Sequence, residues 1–154
     1  RAALQDPELS GMGTTLVAIL VSGGKAHIVH AGDSRAYKIS RSGVKQLTVD
    51  HSMVQEMLNR GDITREEAAH HPHKNIITRA LGVLDMVDVD YTQLDFGPGE
   101  TLLACSDGLS NYVHAEQMYQ CASAHRGQEL ADALVQAALA GGGSDNITVA
   151  LIEN

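Results

Sequence analysis

Lys25-Ala26-His27-Ile28-Val29-His30-Ala31-Gly32-Asp33-Ser34-Arg35-Ala36-Tyr37-Lys38-Ile39-Ser40 decides the fold class of this 154-residue chain. Two β-rich runs, Lys25 to Ala31 and Ser34 to Ser40, are separated by Gly32-Asp33, whose residues favour tight reversal over strand or helix. Outward from it, Thr14 to Val21 is another such run, joined to Lys25 by Ser22-Gly23-Gly24, and Val44 to Thr48 follows Ser42-Gly43. The spacing predicts an antiparallel meander. Met86 to Leu94 alternates Val87, Val89 and Tyr91 with Asp88, Asp90 and Thr92, as a half-buried strand would. Gly97-Pro98-Gly99 leads into a strand from Thr101 to Cys105, and Asn146 to Ile152 supplies the last. Helices are predicted at Ala115 to Ala122 and at Gln128 to Ala140, where Leu130, Leu134, Ala137 and Ala138 make one apolar stripe. Gly141-Gly142-Gly143 ends the second. From His51 to His73 the chain is polar, with Val54, Met57 and Leu58 at helical spacing and Thr64-Arg65-Glu66-Glu67 resembling a capped helix start. No linker divides the sequence, so residues 1–154 read as one domain with an excursion from the sheet.

The opening turn carries a carboxylate, and it has two counterparts. Asp107 in Ser106-Asp107-Gly108 follows the Thr101 to Cys105 run, and Asp145 in Ser144-Asp145-Asn146 precedes Ile147 to Ile152. Each sits where an apolar strand meets solvent. Aspartate beside Gly, Ser or Asn is first of all a turn former. As a set, however, these oxygens suit Mg²⁺ or Mn²⁺, hard cations that keep bound water and need few protein ligands.

Composition narrows the chemistry. The core must come from aliphatic residues, since there is one Phe, four Tyr and no Trp. A formal charge of −8, from 19 acidic and 11 basic residues, with no Lys/Arg cluster, disfavours nucleic acid. No run approaches the roughly 20 apolar residues of a membrane span, and the start lacks the pattern of a secretory signal. Cys105 and Cys121 have neither ligand nor disulfide spacing and read as small buried hydrophobes, so a reducing cytoplasm is the expected setting. The chain opens on Arg1 without a methionine and reads as a fragment of something longer. Gly141 to Gly143 leaves a helix and enters a strand, the reverse of a nucleotide-binding loop. Ser106 and Ser144 lack a nucleophile elbow. His70-His71-Pro72-His73 lacks zinc-site spacing and reads as surface, while His27 and His30 fall on opposite faces of their strand.

Six motifs occur in one order: Gly11-Met12-Gly13-Thr14-Thr15, Ala31-Gly32-Asp33-Ser34-Arg35-Ala36-Tyr37, Leu47-Thr48-Val49-Asp50-His51-Ser52, Ile77-Thr78-Arg79-Ala80-Leu81-Gly82, Ser106-Asp107-Gly108-Leu109 and Ser144-Asp145-Asn146-Ile147-Thr148. Together they resemble the metal-dependent protein serine/threonine phosphatases of type 2C, closest to the compact bacterial branch. The resemblance implies a four-layer α-β-β-α sandwich of antiparallel sheets (α+β) and a binuclear Mg²⁺ or Mn²⁺ centre at one end. It also implies that Asp107 and Asp145 ligate a core metal, that Asp33 joins Asp107 in a third, weaker site, and that residues from Ser52 to about Asn75 form a flap near the active site. The reaction implied is hydrolysis of phosphoserine and phosphothreonine in proteins by a metal-activated water, with metals about 3.5 to 4 Å apart.

The departure from the family pattern lies upstream of Gly11. An Arg that grips phosphate, an acidic ligand and an Asp-Gly carboxylate bridging both core metals have no match, so the chain resembles the C-terminal two-thirds of the enzyme. The sheets are then expected to lack their N-terminal strands, leaving open edges that invite pairing with a second chain. Weak metal binding and little or no turnover are expected of these residues alone. The competing reading is a non-catalytic phosphatase fold that binds and regulates a partner, and a third keeps the fold within a larger sensory protein.

Overall fold

The structure is a computed structural model that describes residues 5–154. Among these residues seven strands form two antiparallel sheets: β1 (Leu16–Ser22), β2 (Lys25–Ala31) and β5 (Asp90–Asp95) in the order β1-β2-β5, and β3 (Arg35–Ser40), β4 (Gly43–Gln46), β6 (Thr101–Cys105) and β7 (Val149–Glu153) in the order β4-β3-β6-β7. β1 and β2 make the expected hairpin, with Ser22 opposite Lys25. The meander stops there. At Gly32-Asp33 the chain leaves one sheet for the other, and β3 pairs with β4 and β6 instead of β2. Gly32 permits the crossing: its φ is +108°, and a Cβ there would lie 2.6 Å from Cβ of Thr15.

The two faces of β6 show how the layers are held. Successive side chains of a strand point to opposite sides, so Leu102 packs with Ala26, Phe96, Ile19 and Leu94 between the sheets, while Leu103 and Cys105 face outward. That outer face is covered by α4 (Ala115–Ala124) and α5 (Gly127–Ala140), whose Met118, Leu130, Leu134 and Ala138 are fully buried. Leu130, Leu134 and Ala138 recur every four residues and so form one stripe along α5. The outer face of the three-stranded sheet is different. Among the described residues no helix lies over it, and Leu16, Leu20 and Tyr91 are 39, 65 and 58% exposed.

The excursion between β4 and β5 carries α1 (Met53–Arg60) and α2 (Arg65–Ala69). Ser52 caps α1 by accepting the Gln55 N–H, and Thr64 and Glu67 close a reciprocal capping box on α2. Its two ends are joined at the root, where Met53 N–H donates to the Ile76 carbonyl at 2.9 Å and Thr78 N–H to the His51 carbonyl at 2.8 Å. β5 starts at Asp90, not at Met86, and its inward residues are Thr92 and Leu94, with Tyr91 turned outward. The alternation of Val87, Val89 and Tyr91 therefore marks the opposite face from the one buried between the sheets.

Candidate functional site

Strand register builds the site. Arg35 pairs with Cys105 and Cys105 with Val149, so these residues share one rung across β3, β6 and β7. Asp33 precedes that rung, Asp107 follows it on the antiparallel neighbour, and Asp145 precedes it on the third strand. All three acidic turns consequently project beyond the same end of the four-stranded sheet.

Two of these turns touch. Ser106 Oγ donates to the Asn146 carbonyl at 2.9 Å and accepts the Thr148 N–H at 3.0 Å, while Ser106 N–H donates to the Thr148 carbonyl. Gly108 lies so close to Asn146 that a Cβ on it would overlap the Asn146 carbonyl oxygen, with the carbonyl carbon at 2.9 Å. Only glycine allows that approach. Asp107 then begins α3 (Asp107–Ser110), a single turn absent from the sequence expectations. On the other side, the Asp33 turn is fixed by Ser34 Oγ and Thr15 Oγ1, 2.8 Å apart. Arg35, next along, makes a bidentate pair with Asp50, with Nε–Oδ1 2.8 Å and Nη2–Oδ2 2.7 Å. Burial opposes the Arg35 charge, but the Asp50 carboxylate outweighs it and holds the guanidinium above its ordinary range.

Asp33 and Asp107 open into a cleft of about 630 Å³ whose far side is the excursion between β4 and β5, with Ser52, Arg65, His70 and Lys74 on its wall. Burial, then the negative charge of Asp107, pushes the Asp33 carboxyl above the usual carboxylate range. Two half-buried carboxylates that repel one another, with no ion pair to either among the described residues, fit a hard cation, which would relieve the repulsion. Asp145 does not line this cleft. It is exposed on the adjoining turn, where its Oδ1 accepts its neighbour Asn146's N–H at 2.7 Å. The three aspartates thus share one end of the sheet without forming a closed three-ligand set.

Alternative nucleophiles are disposed of by geometry. Ser106 Oγ is committed to two backbone partners. Cys105 is buried, and burial pushes its thiol up to about 12, far from a reactive thiolate. His70 reaches the cleft wall, whereas His71 and His73 lie against each other outside it.

Sequence reading passed over a second cluster. His30 and His51, 2 and 7% exposed, stack with ring centroids 4.6 Å apart, and their donor atoms together with those of Asp90 lie within 4.8 Å of one another. The partners of His51 are 19 to 39 residues away, so no local pattern announces them; its place in Asp50-His51-Ser52 was the only signal.

The chain is similar to known proteins in sequence and in fold. The protein phosphatase 2C family matches residues 1–141. The serine/threonine phosphatase stp of Listeria monocytogenes is 45% identical over 152 residues, which are 98% of this chain and 60% of that protein. The crystal structure of the Mycobacterium tuberculosis serine/threonine phosphatase PstP/Ppp superposes with a TM-score of 0.92 at 39% identity, covering 99% of this chain and 66% of that one. A structure of the catalytic domain of PstP in complex with two manganese ions gives 0.86 at 39% identity, over 97% of this chain and 62% of that one. The chain spans about 60% of the length of its Listeria relatives. By its motifs, its sandwich and these likenesses, the chain belongs to the protein phosphatase 2C family.

Proposed function

We propose that this chain supplies the cleft and part of the metal site of a protein phosphatase that hydrolyses phosphoserine and phosphothreonine with Mg²⁺ or Mn²⁺. The observation that carries the reading is the convergence of three acidic turns at one end of the sheet, two of their carboxylates facing a cleft and repelling each other. Asp107 and Asp145 would hold the core metal from this side, and Asp33 with Asp107 a further one. When bound, such ions supply Lewis acidity toward phosphoryl oxygens and a potent nucleophile at neutral pH. The residues of the chain do the rest. Gly108 sets the distance between the Asp107 and Asp145 turns, and Ser106 locks it. Arg65 and Lys74 put positive charge on the flap wall opposite the carboxylates, which attracts a phosphorylated segment and orients it.

The test is direct binding alongside turnover. Mn²⁺ titrated into the 154-residue chain, followed by water-proton relaxation, is expected to bind weakly, and Asp107→Asn and Asp145→Asn are each expected to weaken it further. Turnover of p-nitrophenyl phosphate or a phosphopeptide is expected to be low and to vanish in both variants. Robust turnover indifferent to both substitutions would remove the mechanism, and metal binding with no turnover in the full-length protein would favour a regulatory module.

A further inference from the structure

The cluster around His51 lies between the site and the flap. Its backbone N–H donates to the Gly32 carbonyl at 2.9 Å, and its ring Nδ1 accepts the Gly32 N–H at 3.2 Å. Both hydrogen-bonding groups of the residue before Asp33 are therefore held by one side chain and its own backbone. The His51 carbonyl accepts the Thr78 N–H, and the next residue, Ser52, caps α1, so both ends of the flap start from the same point. Because Nδ1 accepts, a neutral ring carries its proton on Nε2, which faces Asp90 Oδ2 at 3.4 Å. Arg79 Nη1 stands 3.2 Å from that nitrogen and could donate to it only in the opposite tautomer; it has Asp90 Oδ1 as another acceptor at 3.0 Å, whereas the buried Gly32 N–H has no other among the described residues, so the Nε2–H form satisfies both donors. This arrangement argues against a metal among His30, His51 and Asp90. The His30 Nε2–H is spent on the Val49 carbonyl at 2.8 Å, and the Arg79 guanidinium already supplies the positive charge.

We propose that His51 is a positioning residue that latches the Asp33 turn to the root of the flap, so that cation binding beside Asp33 and placement of the flap depend on one imidazole in its Nε2–H form. The proposal rests on the phosphatase reading for its consequence, not for its geometry. Gly32 is buried, so removing its acceptor leaves an N–H with no partner and frees the turn that carries Asp33.

Two substitutions separate the roles of the ring nitrogens. In His51→Asn the amide oxygen sits where Nδ1 was and keeps the Gly32 bond; in His51→Gln the longer amide reaches toward Asp90 and leaves Gly32 unpaired. Long-range ¹⁵N–¹H spectra of the unsubstituted chain are expected to show the His51 proton on Nε2. Hydrogen exchange at the Gly32 amide is expected to quicken about tenfold or more in His51→Gln, while His51→Asn stays close to the unsubstituted chain. Mn²⁺ affinity is expected to follow the same order. Asp90→Ala, at an exposed position, is expected to give an intermediate result and provides a variant whose folding is not in question. A proton on Nδ1, or equal Gly32 exchange in the Asn and Gln variants, would overturn the latch. Failure of the unsubstituted chain to bind Mn²⁺ with the tautomer and exchange results intact would instead count against the phosphatase reading and leave the latch standing.

Discussion

The two sheets of this molecule are built from similar sequence and finished differently. β3, β4, β6 and β7 are covered on both faces, by the other sheet on one side and by α4 and α5 on the other, and their contact with the helices buries eleven residues from Tyr37 to Ala138. β1, β2 and β5 are covered on one face only, and the buried side chains between the sheets, Ala26, Ile28, Phe96 and Leu102 among them, are fewer. Apolar burial contributes roughly 25 cal/mol per Å², so the helix-covered half holds most of the stabilisation. The site stands where the halves meet: Asp107 and Asp145 come from the finished sheet, and Asp33 from the crossing between the two. Carboxylate placement is therefore anchored on one side by a packed core and on the other by polar contacts, those of Thr15, Ser34 and His51.

The largest effect expected from this contrast is in the finished half. Leu134→Ala removes a fully buried side chain from the α5 stripe and is expected to cost about 2–5 kcal/mol in guanidinium unfolding. A cost below that range would mean the helix layer is looser than its burial implies. Next comes Gly108→Ala, which forces the Asp107 turn away from the Asn146 backbone. It is expected to cost about 1–3 kcal/mol and to weaken Mn²⁺ binding more than its loss of stability accounts for. Equal metal affinity in the variant would show that the spacing of the two turns is not what the site requires.

How much of this was legible in the sequence differs along the same divide. Lys25–Ala31 and Thr101–Cys105 have the expected boundaries because glycine-containing turns or loops bound each of them. The capping box at Thr64 and the stripe on α5 were equally plain, since both are patterns within a few residues. What could not be read was partnership across distance. Nothing near Arg35 states that it pairs with Cys105, so the crossing at Gly32 looked like one more hairpin. Val87, Val89 and Tyr91 alternate well, but alternation names two faces without saying which is buried. The three acidic turns were visible as turns, and their common end of the sheet follows from register. That Asp145 folds its carboxylate back onto Asn146, outside the cleft, follows from local hydrogen bonding that the residue types alone do not dictate.

A smaller effect probes the polar side of the junction. Burial lowers the affinity of the His51 ring for a proton, helped by Arg79 and His30 and opposed by Asp90. A group that binds protons more readily when unfolded adds stability above its unfolded pKa, near 6.5, and loses it as the pH falls further. Stability is therefore expected to decline as the pH drops from about 6.5, with a slope from this one group of at most about 1.4 kcal/mol per pH unit. His51→Asn, which does not titrate, should flatten the curve in that window. Thermal unfolding at a series of pH values compares the two, and parallel curves would place the sensitivity elsewhere.

The smallest expected change in stability sharpens the comparison most. Leu20 points outward from β1 at 65% exposure, opposite His27, on the face that carries no helix among the described residues. If that face meets water, Leu20→Lys is expected to change unfolding free energy by no more than about 0.5 kcal/mol. It should also suppress self-association at high concentration, because a charge on an edge strand discourages pairing with another chain. Sedimentation at several concentrations reads the second effect and denaturant unfolding the first. A cost approaching that of Leu134→Ala would mean that the face is covered in solution. It would then be finished by another surface, and the contrast between the two sheets would belong to the isolated chain alone.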